Sequence, residues 1–137
     1  MNVSVKALIL QNDRILLLKP KCPKNSIGGW DGPGGTVKEN ESFLEALKRE
    51  ICEETGLKLK TAIPLATIVP PNHSPSYLIF LCTTKKGKIT LSGEHIEYKW
   101  VTPQQLYKIT KYDLLKELKK IKKTIDGFLF SFSSPKL

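Results

Sequence analysis

Residues 35–57 read Gly-Thr-Val-Lys-Glu-Asn-Glu-Ser-Phe-Leu-Glu-Ala-Leu-Lys-Arg-Glu-Ile-Cys-Glu-Glu-Thr-Gly-Leu. Either Asn40 or Ser42 can cap a helix start, and Gly56 can end that helix in the left-handed conformation. At 3.6 residues per turn, Leu44, Leu47 and Ile51 share one face. Glu50, Glu53 and Glu54 are spaced i, i+3, i+4, which gathers their carboxylates beside the apolar stripe. A sequence shaped only for helix stability would avoid this. Glu50 and Glu54 repel one turn apart, and Glu53 and Glu54 occupy the negative end of the helix dipole. Carboxylates gathered against that cost are natural ligands for a hard cation such as Mg²⁺.

Arg49 strengthens the reading. Lysine carries nearly all positive charge in this chain, with arginine only at Arg14 and Arg49. Arg49 lies four residues before Glu53, within reach of a forked pair that would hold a carboxylate in one rotamer better than lysine could.

Reduced to a pattern, the stretch is G-x5-E-x7-R-E-U-x-E-E-x-G-U, with U a bulky aliphatic residue. Gly35, Glu41, Arg49, Glu50, Ile51, Glu53, Glu54, Gly56 and Leu57 all fit it. This is the Nudix box, and the chain resembles the Nudix hydrolases. The resemblance implies a mixed central sheet between helices, an α/β (α+β) fold of the Nudix α/β/α sandwich type, over a single domain spanning residues 1–137. It implies Mg²⁺-dependent cleavage of a pyrophosphate linkage in a nucleoside-diphosphate-linked substrate, with Mn²⁺ as a substitute metal. Mapped by resemblance, Gly35 (through its carbonyl), Glu50, Glu53 and Glu54 hold the metal. Glu53, Glu50, Arg49 and Glu94 form the catalytic set, with Arg49 orienting Glu53 or a neighbour. Glu41 ties the loop to the helix.

The rest of the chain bounds the function. Its 137 residues suit one core. No apolar run could span a bilayer, and Met1–Leu10 lacks a signal-peptide pattern, so a cytoplasmic protein is expected. Cys22, Cys52 and Cys82 are an odd, widely spaced set that reads as free thiols rather than disulfides or a zinc site. The net charge of +9 could attract nucleic acid, but a lysine-rich solubilising surface is the favoured reading. The expected partner is a nucleotide polyphosphate, bound by a monomer or homodimer.

Along the chain, Asn2–Leu10 and Arg14–Lys19 read as strands joined by a turn at Gln11-Asn12-Asp13. Pro20–Gly29 reads as a loop, and Trp30–Gly35 as a tight turn into the box. Leu57–Val69 reads as a strand region interrupted at Pro64, followed by a loop over Pro70–Pro75. Tyr77–Thr84 and Lys88–Leu91 suggest a hairpin around Lys86-Gly87, and Ile96–Val101 a further strand. Thr102-Pro103 opens a short helix. Asp113 opens a longer one with Leu114, Leu118, Ile121 and Ile125 as its stripe. Phe128, Phe130 and Phe132 alternate in a tail.

The segment Glu94-His95-Ile96-Glu97-Tyr98-Lys99-Trp100 has a Glu-His-x-x-Tyr-x-Trp core that recurs in Nudix subgroups acting on diadenosine tetraphosphate and on nucleoside triphosphates. By that resemblance Glu94 is the first candidate for an additional metal ligand or base, with Glu97 second. His95 reads as structural, and Tyr98 and Trp100 as packing in the sheet. Tyr77 and Phe80 are candidates for stacking a base, although a core role suits Phe80 better. Nucleoside triphosphates and dinucleoside polyphosphates are the favoured substrates. ADP-ribose, an RNA 5′ end or a catalytically silent nucleotide-binding module are the alternatives. Gly32 and Asn40 depart from the usual family residues, an apolar one and a glycine. Gly32 is expected to loosen the pocket floor.

Overall fold

The computed structural model describes residues 3–21, 29–69 and 76–109. The proposed helix from Asp113, the phenylalanine tail, the Pro70–Pro75 loop and Cys22 lie outside them, as does most of the loop after Pro20. Six strands and two helices follow in order: β1 Val3–Gln11, β2 Arg14–Pro20, β3 Gly34–Thr36, α1 Phe43–Thr55, β4 Leu59–Ile68, β5 Ser76–Thr84, β6 His95–Val101 and α2 Pro103–Ile109.

The first hairpin forms because Asn12 and Asp13 accept positive φ, 50° and 63°. Both are residues that tolerate the left-handed region, which a tight turn of this twist needs. The sheet runs β4-β5-β1-β2-β6. β1 and β5 are parallel and the other pairs antiparallel, so the sheet is mixed. Alternation along β1 divides the core. Val5, Ala7 and Ile9 join Leu47 and Ile51 of α1 on one face. Leu8 joins Ile79, Leu81 and Leu106 of α2 on the other. Helices on both faces make this a Nudix-type α/β/α sandwich.

One topological detail positions the site. β1 and β2 pair only near their shared turn, at Leu10↔Ile15 and Gln11↔Arg14. Beyond it they splay, and residues 31–36 wedge between them. Leu18 and Asp31 exchange N–H···O bonds of 2.8 and 3.0 Å, and the Ala7 N–H donates to the Pro33 carbonyl at 2.8 Å. β3 then pairs with the first half of β1. The glycine-rich segment is therefore part of the sheet rather than a free turn.

Four local expectations are corrected. β4 runs through Pro64 without interruption. It is an edge strand whose register shifts between Pro64 and Ala66, and an edge bulge tolerates a residue with no N–H. Lys88–Leu91 forms no strand. Its Thr90 N–H donates instead to the Thr55 carbonyl at 2.8 Å, satisfying an otherwise orphaned helix carbonyl. Leu44 is 48% exposed, so the buried stripe of α1 is Ala46, Leu47 and Ile51. Tyr98 also departs from expectation: it sits on β6 but is 44% exposed, whereas Trp100 packs against the α1-side core.

Candidate active site

Helix α1 is fixed at both ends. Ser42 is the N-cap: its hydroxyl accepts the Glu45 N–H while the Glu45 carboxylate accepts the Ser42 N–H. Gly56, at φ 75°, closes the other end and donates to the Cys52 carbonyl. Asn40 adopts φ 64°, which explains why it can stand where the family usually has glycine. Docked on β1 and β3, α1 brings the box carboxylates to the wedged turn.

Each carboxylate then meets a different environment. Glu54 is nearly buried at 8% exposure. Its Oε1 accepts the Gly34 N–H at 2.7 Å, and its Oε2 lies 3.5 Å from His95 Nε2. Burial pushes the Glu54 carboxyl up to about 7, against the pull of the Gly34 N–H and Lys6. Glu50 and Glu94 push it the same way as burial. Glu50 presses on Gly35 so closely that a Cβ there would lie 2.6 Å from its Cδ. Burial raises the Glu50 pKa too, Arg49 opposes this, and Glu53 and Glu94 add to the rise. Glu53 is 55% exposed at its side chain. At about 100° per residue, Glu54 lies about 40° to one side of Glu50 and Glu53 about 60° to the other.

Arg49 corrects a further expectation. Its fork is spent on Glu41, not Glu53: Nε to Oε2 at 2.7 Å and Nη2 to Oε1 at 2.9 Å. Nη1 donates to Glu50 Oε1 at 2.7 Å and Nη2 to the Thr36 carbonyl at 3.2 Å. Glu53 stands 3.6 Å away. The side chain of Glu41 also accepts the Lys38 N–H at 3.0 Å. Bonded by Arg49 first and Lys38 second, its carboxyl is held down at about 2. Arg49 thus ties Glu41 to Glu50, the neighbour of Glu53 on the helix, and pairs more loosely with Glu53 itself.

Glu94 is exposed, and its carbonyl accepts the Lys21 N–H at 2.8 Å. This anchors the loop while leaving the carboxylate free to swing. His95 Nδ1 lies 3.2 Å from the Ser92 hydroxyl. Burial lowers its pKa, consistent with a neutral structural imidazole beside Glu54. Glu97 is exposed on β6. Tyr77 borders the α2-side core, and Phe80 is 9% exposed inside the α1-side core. Phe80 therefore has no face to offer a base. Cys52 and Cys82 are free thiols, and burial pushes Cys82 up to about 12.

The donor set suits a hard cation in kind: the carboxylates of Glu50, Glu53, Glu54 and Glu94, and the Gly35 carbonyl. The charges of Glu50, Glu54 and Glu94 act on one another, a repulsion that a cation would relieve. Among the described residues, however, no three acidic, histidine or cysteine side chains already converge on a common point. Glu50 and Glu54 are held by Arg49 and the Gly34 N–H, whereas Glu53 and Glu94 are exposed.

Sequence reasoning missed Lys6 and Asp31. The Lys6 Nζ lies 2.7 Å from Asp31 Oδ2 and donates to the Gly32 carbonyl at 3.3 Å. Only the splaying of β1 from β2 brings these residues together, and no local pattern signals it.

An α/β/α sandwich with helix-borne carboxylates set against a glycine turn defines a class of phosphoanhydride hydrolases. The chain belongs to that class by descent as well as by shape: residues 1–124 match the NUDIX domain, and it is a member of that family. It is 36% identical over 97 residues to an 8-oxo-dGTP diphosphatase of Buchnera aphidicola, covering 71% of this chain and 74% of the relative. It is 33% identical over 125 residues to the nucleoside triphosphatase NudI of Escherichia fergusonii, covering 77% and 84%. The NUDIX hydrolase structure from Nitrosomonas europaea superposes with a TM-score of 0.76 over 89% of this chain and 70% of that one. At 21% identity, that likeness establishes the fold. The family-level activity is hydrolysis of a phosphoanhydride in a nucleotide substrate.

Proposed function

We propose that this protein is a Mg²⁺-dependent pyrophosphohydrolase of a nucleoside triphosphate, releasing nucleoside monophosphate and pyrophosphate. The observation that carries this is the Glu50–Glu54 pair on α1, held against the Gly34-Gly35 backbone by Arg49 and by the Gly34 N–H. The names of two relatives, an 8-oxo-dGTP diphosphatase and a nucleoside triphosphatase, favour a nucleoside triphosphate over a dinucleoside polyphosphate.

The chain's own residues set the conditions. Glu50, Glu53, Glu54 and the Gly35 carbonyl would hold the metal, with Glu94 joining them from its loop. Bound there, Mg²⁺ neutralises polyphosphate charge and lowers the pKa of a water. Arg49 opposes the rise that burial imposes on Glu50 and holds its carboxylate through a 2.7 Å bond. Gly35, with no side chain, lets that carboxylate reach the backbone. Glu94, or failing it Glu53, both exposed, would accept the proton of the attacking water. In this reading water attacks phosphorus directly, and no covalent protein intermediate forms.

The test is a panel of nucleoside triphosphates, dinucleoside polyphosphates, ADP-ribose and 5′-triphosphate RNA with Mg²⁺ in ¹⁸O-labelled water, read by mass. One label on a phosphate product from a nucleoside triphosphate is expected. A phosphorylated protein, or no turnover of any substrate, would refute the reading. The latter would favour a nucleotide-binding module.

A further inference from the structure

Lys6 plays no part in the chemistry above, yet it is an expensive side chain to place. It lies in the middle of β1, an inner strand, between Val5 and Ala7 of the α1-side core. Strand alternation points it to the opposite face. Only 16% of its side chain is exposed. A leucine there would avoid the desolvation cost, so stability alone does not account for a buried ammonium.

Its partners show what it does. The ammonium bonds Asp31 Oδ2 at 2.7 Å and the Gly32 carbonyl at 3.3 Å. Asp31 Oδ1 in turn accepts the Gly32 N–H at 2.9 Å. Two residues further on, the Gly34 N–H donates to Glu54 at 2.7 Å. Gly32 makes this closure feasible, since a Cβ there would lie 2.5 Å from the Ala7 carbonyl oxygen. The bare turn is therefore clamped against β1 rather than loosened. Burial pulls the Lys6 pKa down, but Asp31, then Glu54 and Tyr77, pull it up further. It stays a cation, and its charge is felt by Glu54.

We propose that Lys6 is a positioning residue of the hydrolytic site. Its ammonium clamps the Asp31–Gly34 turn to β1, so that the Gly34 N–H is aimed at Glu54. This rests on Glu54 belonging to the hydrolytic site.

The test uses the full chain with Lys6→Met, Lys6→Arg and Asp31→Asn, confirmed as folded by circular dichroism. Mn²⁺ binding is measured by electron paramagnetic resonance with no nucleotide present. The constants kcat and KM are measured on the triphosphate that the unaltered protein turns over best. Lys6→Met should lower kcat by at least about tenfold, with KM changed less than about threefold, because the turn loses its clamp. Its Mn²⁺ affinity should hold, since no carboxylate is removed. A merely structural role would move the two readouts down together. Lys6→Arg should retain more turnover than Lys6→Met, and Asp31→Asn should lose several-fold. Wild-type kcat in Lys6→Met, or parallel losses of kcat and Mn²⁺ affinity, would overturn the proposal. If Lys6→Met does not fold, unchanged turnover in Asp31→Asn overturns it instead. Failure of the unaltered protein to bind Mn²⁺ or hydrolyse any triphosphate would count against the hydrolase reading itself.

Discussion

Gly35→Ala isolates the geometry of the site from its charge. The new Cβ would lie 2.6 Å from Glu50 Cδ and 2.9 Å from its Oε2, where ordinary contact begins at 3.4 Å. The carboxylate must therefore retreat by about 0.8 Å or more, and a displacement near 1 Å at a reacting centre costs about a hundredfold in rate. The cost in stability should be small. The obstacle is the end of a flexible side chain rather than backbone, so about 1 kcal/mol is a fair ceiling. Gly35 is also not among the glycines with positive φ, so alanine adds no backbone strain there.

The assay pairs thermal unfolding with steady-state turnover in Mg²⁺. Gly93→Ala is the control, because a Cβ there would meet nothing within 4 Å. Gly35→Ala should unfold within a few degrees of the unaltered protein and lose about two orders of magnitude in kcat. Gly93→Ala should be indistinguishable from it. Equal activity in the two variants would show that Glu50 need not touch the glycine backbone, and the placement of the metal ligands would fall with it.

Glu53→Gln and Glu54→Gln should each cut turnover at least about a hundredfold while leaving the fold intact, as lost ligands remove transition-state charge stabilisation; near-normal rates in both would rule out the site. Arg49→Lys should lower kcat markedly, because one ammonium cannot keep the fork to Glu41 while also holding Glu50 and the Thr36 carbonyl; full activity would show that Glu50 needs no anchor. Glu94→Gln should impair kcat more than KM, and unchanged kinetics would move the proton-accepting role to Glu53. In EDTA, stability should depend on pH in a defined direction. Burial lifts Glu54 from 4.5 to about 7, so folding takes up a proton and the benefit, complete below about pH 4.5, is lost as pH rises to 7. Urea unfolding should show a fall of up to about 3 kcal/mol between pH 5 and 8, absent in Glu54→Gln. A flat profile in the unaltered protein would refute the burial argument.

What could be read from sequence was what is decided locally. The Asn12-Asp13 turn, the Ser42 cap, the Gly56 stop and the Thr102-Pro103 helix start each depend on a few neighbouring residues. The structure has all of them. Misread features depend on distant partners. Lys88–Leu91 carries a strand-like pattern, but its Thr90 N–H is claimed by the end of α1 rather than by β5. Pro64 interrupts a central strand in principle, yet β4 lies at an edge, a fact no window around Pro64 contains. Leu44 fits the helical stripe by period, but α1 meets the sheet only from Ala46 onward.

The same division runs through the site. The carboxylates on α1 announced themselves because clustered glutamates at a helix C-terminus oppose helix stability. Lys6 gave no such sign: one lysine in an alternating strand reads as a solvated face. Its burial follows from the splay of β1 and β2, which admits the 31–36 segment and encloses the ammonium with Asp31. The two kinds of residue are coupled in the folded protein. Glu54 is too buried to hold its charge easily, and Lys6 and the Gly34 N–H are the groups that offset this. Carboxylates that are plain in one stretch of sequence are thus electrostatically coupled to a residue 48 positions before Glu54.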